Sequence, residues 1–396
     1  MNRHTIALSI AFGVGWLALR CSENAGNPIG SAYFQRDNPG QQLFLRTQAS
    51  PADSFYQTYV RCGESSRLAV GQASGIQARS LLMFTDLPDS GRVDSAVVLL
   101  FVSDSLGSVT ENWTPIVHRI TGSWEDTSVT WERFDQDNLL GEVLATTSRR
   151  SSDSLFLTLP TDLVQSWIDT ATSDENFGIA MALEPPDTGF VYLFYSDDET
   201  SSASHVPKLT LYVTQDTTQT STTASPSADA FVATIQRNPD SQHLWIADGG
   251  ALRSLLWFAL DSIPEEATIN RALLILQEDT TLAFPASDDA FVVLGFAVSD
   301  SVWIPPEVAY ETTPVCNATT ADQTLRINIT TIVQNWTSKA VANHGLVLIG
   351  ASEISTVEAR SFYSAQADSA LVPQLEIHYS LPPSNRMLSI AKKQEK

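Results

Sequence analysis

The sequence predicts an all-β protein built as two tandem, antiparallel, jelly-roll-like β-sandwich domains, each with one short helix. Three observations carry that expectation. An ordered series of matching segments occurs twice along the 396 residues, at a spacing that fits a whole-domain copy and not a solenoid unit. Most of those segments are short, rich in β-branched and aliphatic residues, and bounded by Gly, Pro, Asp and Ser turns. One segment in each copy breaks the strand pattern and carries helical apolar spacing instead.

The chain opens on a targeting signal at residues 1–21. Arg3 and His4 give a positive start, and the apolar run Ile6–Leu19 suits a secretory signal core better than a bilayer span. Cys21 follows directly, in the place of the lipidated cysteine of a bacterial lipoprotein; Arg20 departs from the small residue usual before it. Residues 22–52 then read as a polar tether.

The first sandwich is expected over residues 53–213 and the second over 229–380. Asp53–Val60 pairs with Asp229–Gln236, Ala78–Phe84 with Leu252–Phe258, and Leu87–Leu100 with Ile263–Leu276. In the middle, Ser123–Trp131 answers Val302–Tyr310, each with an aromatic residue seven positions after a Trp. The helical segments are Asp162–Trp167 and Thr331–Trp336. Leu163, Val164, Trp167 and Ile168 form one stripe, repeated by Ile332, Val333 and Trp336, with Thr161 and Thr330 in the expected capping places. Trp167 and Trp336 therefore read as core residues and not as sugar platforms. Asn176–Gly178 and Asn343–Gly345 supply turns, and Val206–Val213 and Val372–Tyr379 close the copies. Residues 214–228, almost without apolar side chains, read as a Ser/Thr-rich linker, and residues 381–396 as a disordered basic tail.

These motifs resemble the DNRLRE domain, the disaggregatase-related repeat classed among carbohydrate-binding modules. The likeness rests on Arg79–Phe84, Trp124–Trp131, Val164–Trp167, Asn176–Gly178 and Pro207–Leu209 in the first copy. The second copy departs at Ile304–Pro306 and has Tyr310 for the second Trp. The resemblance implies a sandwich fold and a surface or secreted protein, with polysaccharide as the partner class.

Composition narrows the functions. A net charge of −22 repels phosphate backbones, which excludes nucleic acid as the expected partner. Cys21, Cys62 and Cys316 lack metal-ligand spacing, and Cys62 and Cys316 read as buried or free thiols. The six histidines show no HExxH or His-x-His pattern. The string Gly71–Gly75 lacks a nucleophile-elbow frame. The acidic pairs Glu125–Asp126, Asp197–Asp198–Glu199 and Asp288–Asp289 read as solvated turns, and Glu125 loses its acidic counterpart at Ile304. No catalytic residue and no cofactor is expected, although the acidic loops leave room for a structural Ca²⁺. Arg79 and Arg253 are matched basic residues, read as structural; Tyr56, Tyr59 and Trp113 are aromatics without a defined site. The expected function is a non-catalytic, exported or surface-anchored protein that binds polysaccharide or matrix glycan. A structural or adhesive envelope spacer stands second, and a polysaccharide-degrading enzyme third.

Overall fold

The computed structural model describes residues 43–108, 114–151, 153–169, 176–183, 189–236, 240–285 and 290–382. The signal with Cys21, most of the tether and the basic tail lie outside the described residues. Gln42–Pro382 is one compact unit.

Two arm strands come first, β1 (Leu43–Ala49) and β2 (Ala52–Gln57). Module A follows with β3 (Arg67–Ala73), β4 (Ile76–Met83), β5 (Arg92–Gly107), β6 (Ile116–Ile120), helix α1 (Trp131–Gln136), β7 (Leu140–Val143), β8 (Thr147–Arg150) and β9 (Ser154–Thr158). It continues through helix α2 (Thr161–Ile168), β10 (Ile179–Ala182), β11 (Phe190–Tyr195), β12 (Lys208–Gln215), β13 (Thr218–Ala224) and β14 (Ala228–Ile235). Module B has β15 (His243–Ala247), β16 (Leu252–Trp257), β17 (Thr268–Gln277), a 3₁₀ turn (Thr280–Leu282), β18 (Val292–Ala297), β19 (Cys316–Ala321) and β20 (Thr324–Asn328). Helix α3 (Thr330–Thr337), β21 (Leu346–Gly350), β22 (Ala359–Tyr363) and β23 (Gln374–Ser380) complete it.

The strands form two curled antiparallel sheets, each folded over its own core, as the sequence predicts. Alternation explains the cores. In β12, Leu209, Leu211 and Val213 point inward, while Tyr212 is exposed. Module A encloses residues such as Val98, Leu157, Val164 and Phe194, and module B residues such as Leu274, Ile327, Trp336 and Ile377. Each such fully buried side chain contributes about 1.5–3 kcal/mol. A third core joins the modules, with Phe231, Ile235, Trp245, Leu252 and Val357 among its members. The modules are therefore fused, not strung on a flexible connection.

The module boundaries differ from the repeat boundaries. β2, which begins the first sequence copy, pairs with β16 of the second; β14, which begins the second copy, pairs with β4 of the first. β1 pairs with β23, and β13 occupies the matching place beside β12. Residues 214–228 are therefore not a disordered linker, and residues 43–52 are not a tether. Both segments are edge strands, held by backbone hydrogen bonds with little apolar burial, so no hydrophobic pattern announces them. Module A is the continuous stretch Arg67–Ile235, whereas module B is completed by the arm.

The helices also need two corrections. Pro160 and Ile329 take the cap positions of α2 and α3, with no side-chain cap bond; Thr161 and Thr330 are the first helical residues. The Thr330 hydroxyl instead accepts the Ala272 N–H at 2.9 Å and donates to Asn328 Oδ1 at 2.7 Å. Module A also has a helix that the strand pattern hid, α1, capped by the Thr130 hydroxyl accepting from the Arg133 N–H.

Candidate functional site

The polar residues that recur in both copies serve the backbone. Trp124 donates its indole N–H to Phe177 O at 2.9 Å, and Trp303 donates to His344 O at 3.0 Å. Gln165 accepts the Val93 N–H and donates to Gly91 O, at 2.8 and 2.9 Å; Gln334 does the same for Ile269 and Ala267, at 2.8 and 3.2 Å. Asn176 donates to Phe84 O and accepts the Gly178 N–H, matched by Asn343 with Phe258 O and the Gly345 N–H. Gly178 and Gly345 need positive φ, 81° and 97°, and a Cβ at either would strike the carbonyl of Leu82 or Leu256. Buried carbonyls and N–H groups without such partners cost free energy, so these repeats are explained by folding alone.

The same holds for the repeated aspartates. Asp229 accepts the Asp197 N–H at 2.8 Å, and Asp53 accepts the Ala365 N–H at 2.6 Å. Each one pins the strand that opens its sequence copy, β14 or β2, to the turn after the Phe–Tyr–Ser strand end. Burial raises both pKa values, opposed by the backbone hydrogen bond. Asp229 also faces Asp197, Asp198 and Asp126, and its pKa is raised to about 7.

Trp336 is buried in the core of module B, and Trp167 is half-buried against that of module A, as the helical stripe predicts. Ser74 and Gly75 form the positive-φ turn between β3 and β4, which accounts for Gly71–Gly75 as a turn. Cys62 and Cys316 are free thiols; burial raises both pKa values, that of Cys316 to about 12. His243 lies between Asp240 (2.8 Å) and Asp279 (3.3 Å), a grouping the sequence did not suggest. Among the described residues no group of three or more His, Cys, Asp or Glu side chains is arranged to hold a metal ion. Trp113 and Asp288–Asp289 lie outside the described residues.

The matched arginines are where the modules part. Arg253 makes a two-pronged ion pair with Glu353, at 2.8 and 2.6 Å, and donates to the Tyr310 hydroxyl at 3.1 Å. Tyr56 of the arm is buried beside it. Burial alone would lower the Arg253 pKa, but the Glu353 bonds and charge drive it upward. That arginine is paired and closed in by Glu353, Tyr310 and Tyr56. Arg79 instead lies over the Trp131 ring, 4.3 Å from its centroid, and among the described residues no carboxylate forms an ion pair with it. Burial lowers its pKa, with the Asp135 charge opposing. Tyr59, half-buried, is raised by burial and by the nearby charges of Glu132 and Asp135. Arg79 stacked on Trp131 thus forms a shelf at the start of α1, with Tyr59 near the exposed acids Glu132 and Asp135 of the same helix. The Trp and Arg positions were visible in the sequence. Tyr59 was visible only as an aromatic without a site, because its neighbours come from α1 more than seventy residues away.

No family model matches the chain, and no curated protein matches it. Among solved structures, 71% of the chain aligns with the N-terminal domain of the Streptococcus gordonii adhesin Sgo0707, at 8% identity and a TM-score of 0.15; the match spans 55% of that chain. A structure described as BspA_C_mut aligns with 83% of this chain and 90% of its own, at 6% identity and a TM-score of 0.16. The Macrobrachium rosenbergii nodavirus structure aligns with 97% of this chain and 98% of its own, at 10% identity and a TM-score of 0.10. Likenesses of this size carry no argument about architecture or function. Among the described residues no helix is long and apolar enough to cross a membrane.

Proposed function

We propose that this chain is an exported, non-catalytic surface protein that binds polysaccharide through the Arg79–Trp131–Tyr59 shelf of module A, and that each module belongs to the DNRLRE family. The observation that carries this reading is the unpaired, part-buried guanidinium of Arg79 stacked on a half-exposed Trp. Aromatic faces stack on the apolar faces of sugars, and a guanidinium with free N–H groups donates to hydroxyls. The rim acids Glu132 and Asp135 and the overall charge of −22 favour a neutral glycan over a polyanion.

Affinity electrophoresis over a panel of neutral and acidic polysaccharides tests the reading. The wild type should be retarded by at least one neutral polymer, and Tyr59→Ala with Arg79→Lys should abolish the retardation without moving the melting temperature. A wild type that folds but is retarded by none of the panel would leave the second reading, a rigid envelope spacer. The core shared between the modules favours that alternative, because it makes one stiff body of the pair.

A further inference from the structure

One face of module A departs from the rest of this acidic chain. Strands β13, β12, β5, β9 and β8 are hydrogen-bonded side by side in that order. Val98, Leu157 and Leu209 mark their inner side, in the core. Strict alternation would leave the outer side polar, but Ala96–Val102 of β5 contains no polar residue. Val97, Leu99 and Phe101 therefore stand half-buried on the outside. The register draws two rows across that face. Lys208, Leu99, Phe156 and Arg149 lie opposite one another on successive strands, which puts the two cations roughly 14 Å apart. Beside them run Thr223, Thr210, Val97, Thr158 and Thr147. Arg149 is exposed, and its guanidinium lies over the Phe156 ring, 4.5 Å from the centroid. Among the described residues neither Lys208 nor Arg149 has a carboxylate partner.

No Asp or Glu occurs in β8, β9, β12 or β13, in a chain with 45 acidic residues. The two aspartates of β5, Asp94 and Asp104, lie outside both rows, and Asp94 is already held by Arg92, Thr214 and Gln219. Module B shows that the sandwich does not require such a face. There Gln374 takes the place of Lys208, beside Ile275 and Arg326, and Glu376 takes the place of Thr210. The screening length at physiological salt is about 8 Å, so the cations of the face, and not distant acids, govern an ion lying on it. We infer that this outer face is a second ligand site, which takes an extended anionic polysaccharide bearing carboxylate or sulfate groups. Arg149, steadied by its stacking, offers a two-pronged bond to one such group, and Lys208 offers a point charge to another. The threonine row bonds sugar hydroxyls. A peptide strand is the poorer occupant, because the backbone groups of these central rows are used within the sheet and offer it no ladder. The site is separate from the acid-rimmed Arg79 shelf and stands whether or not that shelf binds.

Affinity electrophoresis of the full chain in gels containing dextran sulfate or polygalacturonate tests it, with plain dextran as the uncharged match. The wild type should be retarded by at least one anionic polymer, dextran sulfate reporting sulfate esters and polygalacturonate carboxylates. Arg149→Gln with Lys208→Gln should weaken that retardation about tenfold or more, the scale of lost charge-assisted bonds, at an unchanged melting temperature. Arg271→Gln with Arg326→Gln makes the same charge change in module B and should leave it intact. Tyr59→Ala with Arg79→Lys should also leave it intact, which separates this site from the shelf. No retardation by either anionic polymer, or equal retardation by dextran and dextran sulfate, would overturn the inference. So would retardation that survives the Arg149 and Lys208 changes, or that falls equally with the module B pair, because net charge alone would then account for it.

Discussion

Modules A and B hold the same arginine, on the same strand, under the same aromatic segment, and use it differently. In B the guanidinium is consumed by Glu353 and Tyr310; in A it rests on Trp131 with no carboxylate partner. The arm pins diverge in the same way. Burial raises the pKa of Asp53 against its backbone bond, whereas Asp229 is raised by burial and also faces three acidic side chains. Residues that serve the backbone, such as Gln165 and Gln334, persist in both copies, while residues that project beyond the sandwich have drifted.

The largest test of that contrast removes the core anchors. Trp336→Ala should cost about 3–5 kcal/mol, and Trp167→Ala less, because Trp167 is only half-buried. Calorimetry on the whole chain checks both, and should show one transition because a shared core joins the modules. Next, Arg253→Ala strands Glu353 in a poorly solvated place and should cost about 3–5 kcal/mol in denaturant titration. Arg79→Ala should cost about 1 kcal/mol, the scale of a cation–π contact. Equal costs would erase the distinction between a closed and an open site.

The pH dependence sharpens the comparison of the pins. Asp229 titrates at about 7 in the folded protein, against a reference of 3.8. With a raised folded pKa, its stabilisation is fully present below about pH 4 and is lost as the pH rises through 7, by an amount on the order of a few kcal/mol. Asp229→Asn retains an acceptor for the Asp197 N–H and should flatten the profile between pH 4 and 7, measured as melting temperature. Asp53→Asn should flatten it less. The smallest expected effect on stability is that of Tyr59→Ala, which should leave the melting temperature within error while removing polysaccharide retardation.

Much of this architecture was legible in the sequence. The stripe Leu163, Val164, Trp167 and Ile168 located α2, and strict alternation located strands such as β12. The matched Trp, Gln and Asn residues marked the fold correctly. The edge strands β1 and β13 and the pairing partner of β2 were not legible, for two physical reasons. β13 is exposed over most of its length, so Thr and Ser leave no alternation to read. The choice of partner is also not readable from the sequence, because β4 and β16 share the sequence Arg–Ser–Leu–Leu. One signal was present: Ala49–Ser50–Pro51 in the supposed tether and Ala224–Ser225–Pro226 in the supposed linker share a corner motif. The shelf was half legible, since Arg79 and Trp131 stood out while Tyr59 needed the fold to reach them.

The modules are cut differently from the sequence repeats. Calorimetry on two fragments tests it most directly: residues 58–236, which keep β13 and β14, and residues 53–213, which follow the first repeat. A sharp cooperative transition is expected for 58–236 and none for 53–213, which lacks β13 and β14. A fragment 53–213 that melts as sharply and at as high a temperature as 58–236 would contradict it.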